Sequence, residues 1–272
     1  MADLQPGDLA FIAKFLRDRS GLVVTADKGY LLDSRLGPLA RRNGCKDVAD
    51  LIGRLRSGRD DTLARLAVEA MTTNESFFFR DQKPFDHFKV SSLPHMLRER
   101  AGKRSIRIWC AAASSGQEPY SLAIMLKEAA EALRGWKIEI VATDLDREIL
   151  ERAKCGMYSQ FEVQRGLPIQ MLVKHFKKRD MLWQIDDSLR AMVQFKEFNL
   201  LNDPRALGQF DIVYCRNVLI YFDPPTKGRV LDGIAGLMPA DGFLYLGGAE
   251  TVLGVTNRFA AIPNERGVYR RT

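Results

Sequence analysis

Three features predict an α/β fold with a mostly parallel sheet, preceded by a segment of short helices. From Ile106 onward, apolar strand-like runs alternate with helical ones. The first of those runs leads into a turn of small residues, 111–116, and then into a helix opened by Glu118-Pro119. Ahead of it, residues 1 to about 72 read as helical.

The helical segment divides by its own signals. Residues 8–19 place Leu9, Ile12, Ala13, Phe15 and Leu16 on one face of a helix, and the run at 21–24 interrupts it. A second helix is expected over 30–43, with Leu31, Leu32, Leu36 and Leu39 inward and Gly44 as its stop. Asp47 caps a third helix over 48–55, and Asp60 or Asp61 a fourth ending near Met71. The plain reading is a packing module. The sharper one has Arg41, Arg42, Arg54, Arg56 and Arg59 facing a partner helix.

Residues 72–80, TTNESFFFR, follow. Polar caps ahead of an aromatic block suit a helix start anchored in a groove, with the three phenylalanines either in the core or beside a cofactor. The basic stretch 81–104, with Pro84 and Pro94, reads as a linker holding one or two helices.

Strands and helices then alternate. Residues 106–110 form a strand, and the helix after the turn runs to Ala132. Residues 137–143 form a second strand ending at Asp144, and 147–154 a helix stopped by Cys155-Gly156. Residues 181–186 and 192–198 alternate well enough to be paired strands, joined by a short turn around Asp187 and Ser188, and the second of them can run on into the main sheet at Asn199. FDIVYC, 210–215, is a central strand leading into Arg216-Asn217. A helix over 226–238, a strand over 243–247 and a last short strand over 268–270 close the chain.

Composition narrows the function. A chain of 272 residues, 46% hydrophobic and 28% charged, buries a sizeable core as an ordinary globular protein. No apolar run approaches the roughly 20 residues that span a bilayer. MADLQPGDLAF has neither the basic start nor the apolar core of a signal peptide, so a cytoplasmic protein is expected. Cys45, Cys110, Cys155 and Cys215 are scattered without a CxxC pair, and His87, His95 and His175 are isolated. That pattern disfavours metalloenzymes and triad hydrolases. The net charge of +7 implies an acidic partner, either nucleic acid or an acidic protein surface.

In an open α/β sheet, ligands bind beyond the carboxyl ends of the strands where the winding reverses. The 111–116 turn, Asp144, Asn199-Leu200 and Arg216-Asn217 all fall there. Asp144, at the end of the second strand, is placed to accept from both hydroxyls of a ribose. The turn lacks GxGxxG and a Walker lysine, which favours a nucleoside cofactor without phosphate. S-adenosylmethionine meets that description. Glu118 either meets the ammonium of its amino-acid end or simply complements the helix dipole.

TTNESFFFR, AAASSGQEPYS, ATDLD and FDIVYCRNVLIYF, in this order and spacing, resemble the bacterial chemotaxis receptor methyltransferases of the CheR family. The resemblance covers essentially the whole chain. It implies a class I S-adenosylmethionine-dependent methyltransferase fold, Rossmann-like, with an N-terminal all-α domain over 1–72. A linker over 73–104 carries a cofactor motif, and a methyltransferase domain over 105–272 holds a small antiparallel β-subdomain at about 178–198. The implied reaction is methyl transfer from S-adenosylmethionine to receptor glutamate side chains, leaving S-adenosylhomocysteine. Cofactor contacts carried over by motif are Asn74, Ser76, Arg80, Glu118, Asp144, Asn199, Leu200, Arg216 and Asn217, and the catalytic residues are Arg80 and Tyr221. Ser76 and Ser115 stand where the family often has threonine, and Gln117 where it often has glutamate. Gln117 lacks that charge and is not expected to be a ligand.

The implied partner is the helical cytoplasmic domain of chemotaxis receptors, met by a monomer that touches no nucleic acid and reaches the membrane only through receptors. Arg41, Arg42 and the KHFKKR run, 174–179, are its candidate contacts. Some family members dock a receptor tether on the β-subdomain; the short turn here argues against that. The alternatives are methylation of RNA or DNA, or a cofactor-binding sensor without turnover. The Asn/Asp-Pro-Pro-aromatic motif of many base methyltransferases is replaced by Arg216-Asn217-Val218-Leu219. The sensor reading needs loss of Arg80 or Tyr221, and both are present.

Overall fold

The computed structural model describes residues 4–25 and 29–272. Residues 1–3 and 26–28, which the expected helical segment and the N-terminal reading include, lie outside the described residues. The chain divides into two compact units, one of residues up to Thr73 with Tyr221–Thr226, the other of Asn74–Ile220 and Lys227–Thr272.

The first unit contains α1 (Pro6–Ser20), α2 (Gly29–Arg42), α3 (Val48–Ser57) and α4 (Asp61–Ala70). Their ends follow the sequence signals. Pro6 sits in the first turn of α1 and Gly21 closes it with φ 78°. Asp47 and Asp60 cap α3 and α4, accepting from the N–H groups of Asp50 and Leu63. Ile12, Leu16, Leu32, Leu36, Leu51, Ile52, Leu63 and Ala67 are buried together. Arg54 donates to the carbonyls of Asn43 and Gly44 at the end of α2, and Arg56 pairs with Asp8 at 2.8 Å over the ring of Phe11. Those two arginines tie the module to itself rather than facing a partner helix. Arg41, Arg42 and Arg59 remain exposed.

Residues 72–77, which run from the end of the first unit into the start of the second, are free of regular structure, so the expected helix start is not formed. Turns follow, with Phe79, Asp81 and Gln82 at φ between 45° and 67°. The helix comes later, as α5 (Lys83–His87), a wider turn at Phe88–Ser92 and α6 (Leu93–Glu99). Phe85, Phe88, Leu93 and Met96 lie in the same hydrophobic cluster as the sheet, so the stretch expected as a linker packs into the core.

The remaining elements are β1 (Ser105–Ala111), α7 (Gln117–Glu128), β2 (Lys137–Asp144), α8 (Arg147–Cys155), β3 (Met157–Ser159), α9 (Gln160–Gln164), α10 (Ile169–His175), β4 (Phe176–Arg179), β5 (Leu182–Ile185), α11 (Asp187–Arg190), β6 (Val193–Glu197), β7 (Ile212–Cys215), α12 (Pro224–Gly236), β8 (Phe243–Leu246), β9 (Phe259–Ala261) and β10 (Val268–Arg271). The main sheet runs β6-β2-β1-β7-β8-β10-β9. Its first five strands are parallel, and β10 runs antiparallel to both of its neighbours.

The expected hairpin of 181–186 with 192–198 is not formed. β5 pairs instead with β4 and β3 in a small antiparallel sheet, and β6 joins the main sheet beside β2. The stretch read as a turn is the helix α11, which Asp186 caps through the N–H of Ser188. Both runs alternate, and alternation does not say which partner a strand takes. The hairpin turn that does exist lies between β4 and β5, around Asp180 at φ 52°.

Register aligns one edge of the main sheet. Ala111 stands opposite Thr143 on one side and Cys215 on the other, and Asp144 stands opposite Glu197. The residues that follow these strand ends therefore emerge together, and the winding reverses beside β1, between β2 and β7.

Candidate cofactor site

The turn after β1 needs unusual backbone angles, with Ala112, Ser114 and Gly116 at φ 58°, 51° and 91°. Left-handed alanine and serine cost energy and persist only where contacts over-determine them. Here they do. Ala113 N–H donates to the Thr143 carbonyl, Ser114 N–H to Asp144 Oδ2 at 2.8 Å, and Ser114 Oγ to the Asn74 carbonyl at 3.0 Å. Tyr158 donates its hydroxyl to the Ser115 carbonyl. A Cβ on Gly116 would lie 3.1 Å from both Ala153 and Tyr120, so the turn closes onto the helices below it. Gln117 is buried and accepts from Ser115 Oγ, a packing role.

Asp144 is 7% exposed. Burial raises its carboxyl above the usual range, opposed by hydrogen bonds from the N–H groups of Asp146 and Ser114. Each carboxylate oxygen receives one such bond and keeps further lone-pair capacity. The Asn74 side chain donates to Asp146 at 2.8 Å, which brings the 72–77 loop alongside. The Phe198 N–H donates to the Asp144 carbonyl, so half-buried Asn199 and Leu200 follow directly beside it. Asn199 Oδ1 accepts from the Leu201 N–H.

Arg216 leaves β7 into the centre of a polar cluster. Its Nη1 donates to Glu118 Oε2 and its Nη2 to Asp81 Oδ2, both at 2.7 Å, and Nη2 also meets the Arg80 carbonyl at 2.8 Å. The guanidinium lies over the Phe85 ring. Glu118 therefore has a partner that neither sequence expectation included. Its carboxyl is pushed up by burial, against the pull of Arg216 and Arg80.

Arg80 is half-buried, donates to the Glu75 carbonyl at 2.8 Å and lies over the Phe77 ring. Ser76 is half-buried in the same loop. Phe78 is fully buried against Tyr158 and Phe176, which settles it as core. Tyr221 belongs to the helical unit, where its carbonyl accepts from the Val23 N–H. Eight of the nine cofactor candidates thus stand on a strand end or in the 72–80 loop that meets it; Glu118 stands in the first turn of α7.

The donor set suits S-adenosylmethionine. The Nε of Arg216 is buried with no hydrogen-bond partner among the described residues, a match for the carboxylate of an amino-acid end. Asp144 retains acceptor capacity for ribose hydroxyls, and the acidic pair Asp144 and Glu118 suits a cofactor carrying a sulfonium and an ammonium.

Residues 7–72 match the family model "CheR methyltransferase, all-alpha domain", and residues 74–268 match "CheR methyltransferase, SAM binding domain". The chain belongs to the CheR methyltransferase family. Chemotaxis protein methyltransferase 1 of Pseudomonas aeruginosa is 37% identical over 268 residues, covering 97% of each chain. Chemotaxis protein methyltransferase 1 of Vibrio cholerae is 38% identical, covering 94% of this chain and 93% of its own. The chemotaxis protein methyltransferase of Borreliella burgdorferi is 31% identical, covering 92% and 90%. The class I fold and the S-adenosylmethionine cofactor stand with that membership.

Within this CheR chain, sequence reasoning missed two supports. Glu250, in the loop after β8, accepts from four backbone N–H groups: Gly247 and Asn217 on Oε2, Val218 and Ile220 on Oε1, at 2.7–3.2 Å. It fixes the loop carrying Arg216 and Asn217, where Asn217 itself has φ 60°. A Cβ on Gly247 would come within 2.7 Å of the Asn217 side chain, so the paired glycines at 247–248 were the available signal. Gly166 at φ 86° is the second: a Cβ there would sit 2.0 Å from the Phe78 carbonyl oxygen. Beside it Arg165 pairs with Glu75 at 2.7 Å and lies over Phe77, holding the 72–80 loop from outside.

Proposed function

We propose that the chain methylates glutamate side chains of chemotaxis receptors during sensory adaptation, acting in the cytoplasm as a monomer on the helical signalling domain. The observation that carries this reading is the family match, which runs through both parts of the chain in the order of its chemotaxis relatives. No helix among the described residues is long and apolar enough to cross a membrane.

When bound, S-adenosylmethionine supplies an electrophilic methyl group on a sulfonium. The residues of this chain have little proton chemistry to do, because a glutamate side chain with an ordinary value near 4.3 is already an anionic nucleophile at pH 7. Their work is alignment and exclusion of water. Asp144 would hold the ribose, Arg216 and Glu118 the amino-acid end, and Asn74, Ser76, Asn199, Leu200 and Asn217 would frame the remainder. Arg80 would orient the cofactor and steer the substrate carboxylate. A tight ion pair would quench the nucleophile, so its hold must stay loose. Tyr221 keeps the positioning role that the family resemblance implies. Lys177, Lys178 and Arg179, exposed on β4, and Arg41 and Arg42 are the candidate contacts for an acidic receptor surface. Lys174 and His175 are already paired with Glu128.

Asp144→Ala should weaken cofactor binding by about 1.5–3 kcal/mol, the usual worth of hydrogen bonds to a charged group. Unchanged calorimetric affinity would remove Asp144 from the site. Tyr221→Phe should lower turnover more than cofactor affinity; an equal loss in both would make it a binding residue. The deciding assay is radiolabelled methyl transfer to purified receptor cytoplasmic domains, with tRNA as the control. Base-labile label on receptor is expected for a carboxyl ester. Label confined to tRNA would overturn the reading.

A further inference from the structure

A cleft of about 650 Å³ opens between α6 and the β9–β10 edge, away from the strand ends that form the cofactor site. Phe243, in its floor, starts β8, whereas the Glu250 loop follows the other end of that strand. The volume is within the range of small-molecule sites, roughly 300–1,000 Å³.

Its lining joins two chemistries. Val90, 70% exposed, and Ile262 belong to an apolar side. Arg98 and Arg270 supply positive charge, and no aspartate or glutamate is among the lining residues. Arg270 is held over the Phe243 ring, 4.6 Å from its centre, which fixes the guanidinium in place. Two imidazoles complete the wall. His87 is 5% exposed, with Nδ1 2.8 Å from the Tyr245 hydroxyl. His95 has a buried Nε2 with no hydrogen-bond partner among the described residues, 3.8 Å from an Asp241 oxygen. Asp241 is itself engaged by both Nη atoms of Arg100. Burial holds both imidazoles below their ordinary value, helped by the Arg270 charge and opposed by Glu265 at His87 and by Glu99 and Asp241 at His95.

We propose that this cleft is a second ligand site, taking a small organic anion: a carboxylate or phosphate ester with an apolar portion. The anionic end meets Arg98 and Arg270, the apolar portion lies along Val90 and Ile262, and the His95 ring lies beside both. Charge-assisted bonds to guanidinium groups supply the selectivity for an anion over a neutral molecule of the same shape.

The test titrates the full chain with benzoate, phenyl phosphate and phenol while following imidazole resonances by NMR. The chain has three histidines, and His175, paired with Glu128, is the internal control. Benzoate or phenyl phosphate should shift His95 and His87 saturably and leave His175 in place. Phenol should need at least about tenfold higher concentration. The tighter of the two anions assigns the class as carboxylate or phosphate ester. Arg98→Gln, on an exposed side chain, should weaken the anion by about tenfold or more, as should Arg270→Gln. The proposal is overturned if no anion shifts His95 up to about 10 mM. Equal binding of phenol and benzoate, or parental affinity in both arginine variants, overturns it equally.

Discussion

Replacing Arg216 with methionine should destabilise the fold by about 3–5 kcal/mol, the cost of stripping one partner from a buried ion pair. The two side chains are only 1% and 11% exposed, so water cannot take over from the guanidinium. Methionine keeps much of the stem that packs near Phe85 and removes the charge. Burial already raises the Glu118 carboxyl, and in this variant Arg216 no longer opposes it. Glu118 then retains a proton in the folded state that the unfolded chain releases near its ordinary value of 4.5. The sign follows from that difference. The part of the penalty due to the unpaired Glu118 charge is absent below 4.5 and grows as pH rises towards the raised folded value. Urea denaturation of variant and parent at pH 5 and pH 7 should show the deficit shrinking on the acid side. Adding Glu118→Gln to the methionine variant should recover part of the loss, since an amide needs no counter-charge. A methionine variant as stable as the parent at pH 7 would show that the pair is not holding the site.

Glu250→Ala should cost about 3 kcal/mol and weaken S-adenosylmethionine about tenfold. One hydrogen bond to a charged group is worth about 1.5–3 kcal/mol, and four on one carboxylate are coupled, so their sum overstates the loss. Some of the freed N–H groups find water, because Asn217 and Val218 are only half-buried. What water cannot restore is the conformation of the loop, which holds Asn217 at φ 60° with Gly247 packed against it. Glu250→Gln should be nearly as damaging, since one oxygen is replaced by an amide that points donors at donors. Chemical denaturation and calorimetric titration of both variants check this. Parental stability together with parental cofactor affinity in the alanine variant would discard the role.

Much of this protein was legible before any coordinates. Helix ends follow from Gly21, Asp47 and Asp60, because a cap acts on backbone groups two or three residues away. The parallel strands at 106–110, 137–143 and 210–215 follow from short apolar runs bounded by turns, and lie inside or beside β1, β2 and β7. Asp144, Arg216 and Asn217 were nominated from their place at strand ends, and the register brings those ends together. Of the readings that went astray, two turn on long-range packing. The 181–198 hairpin failed because both of its strands found other partners, which period-two alternation does not encode. The helix start at 72–80 failed because Phe78 is drawn into the core beside Tyr158, leaving the chain on either side extended or turned.

The sequence alone determined the fold class, several helix ends and which strand ends carry the polar residues, all matters of local pattern and spacing. Only the tertiary structure decided what those residues touch. Glu118 meets Arg216 across 98 positions of chain, and Glu250 reaches back 33 positions to Asn217. Such pairs are chosen by strand order and register, and no short-range signal in either partner records them.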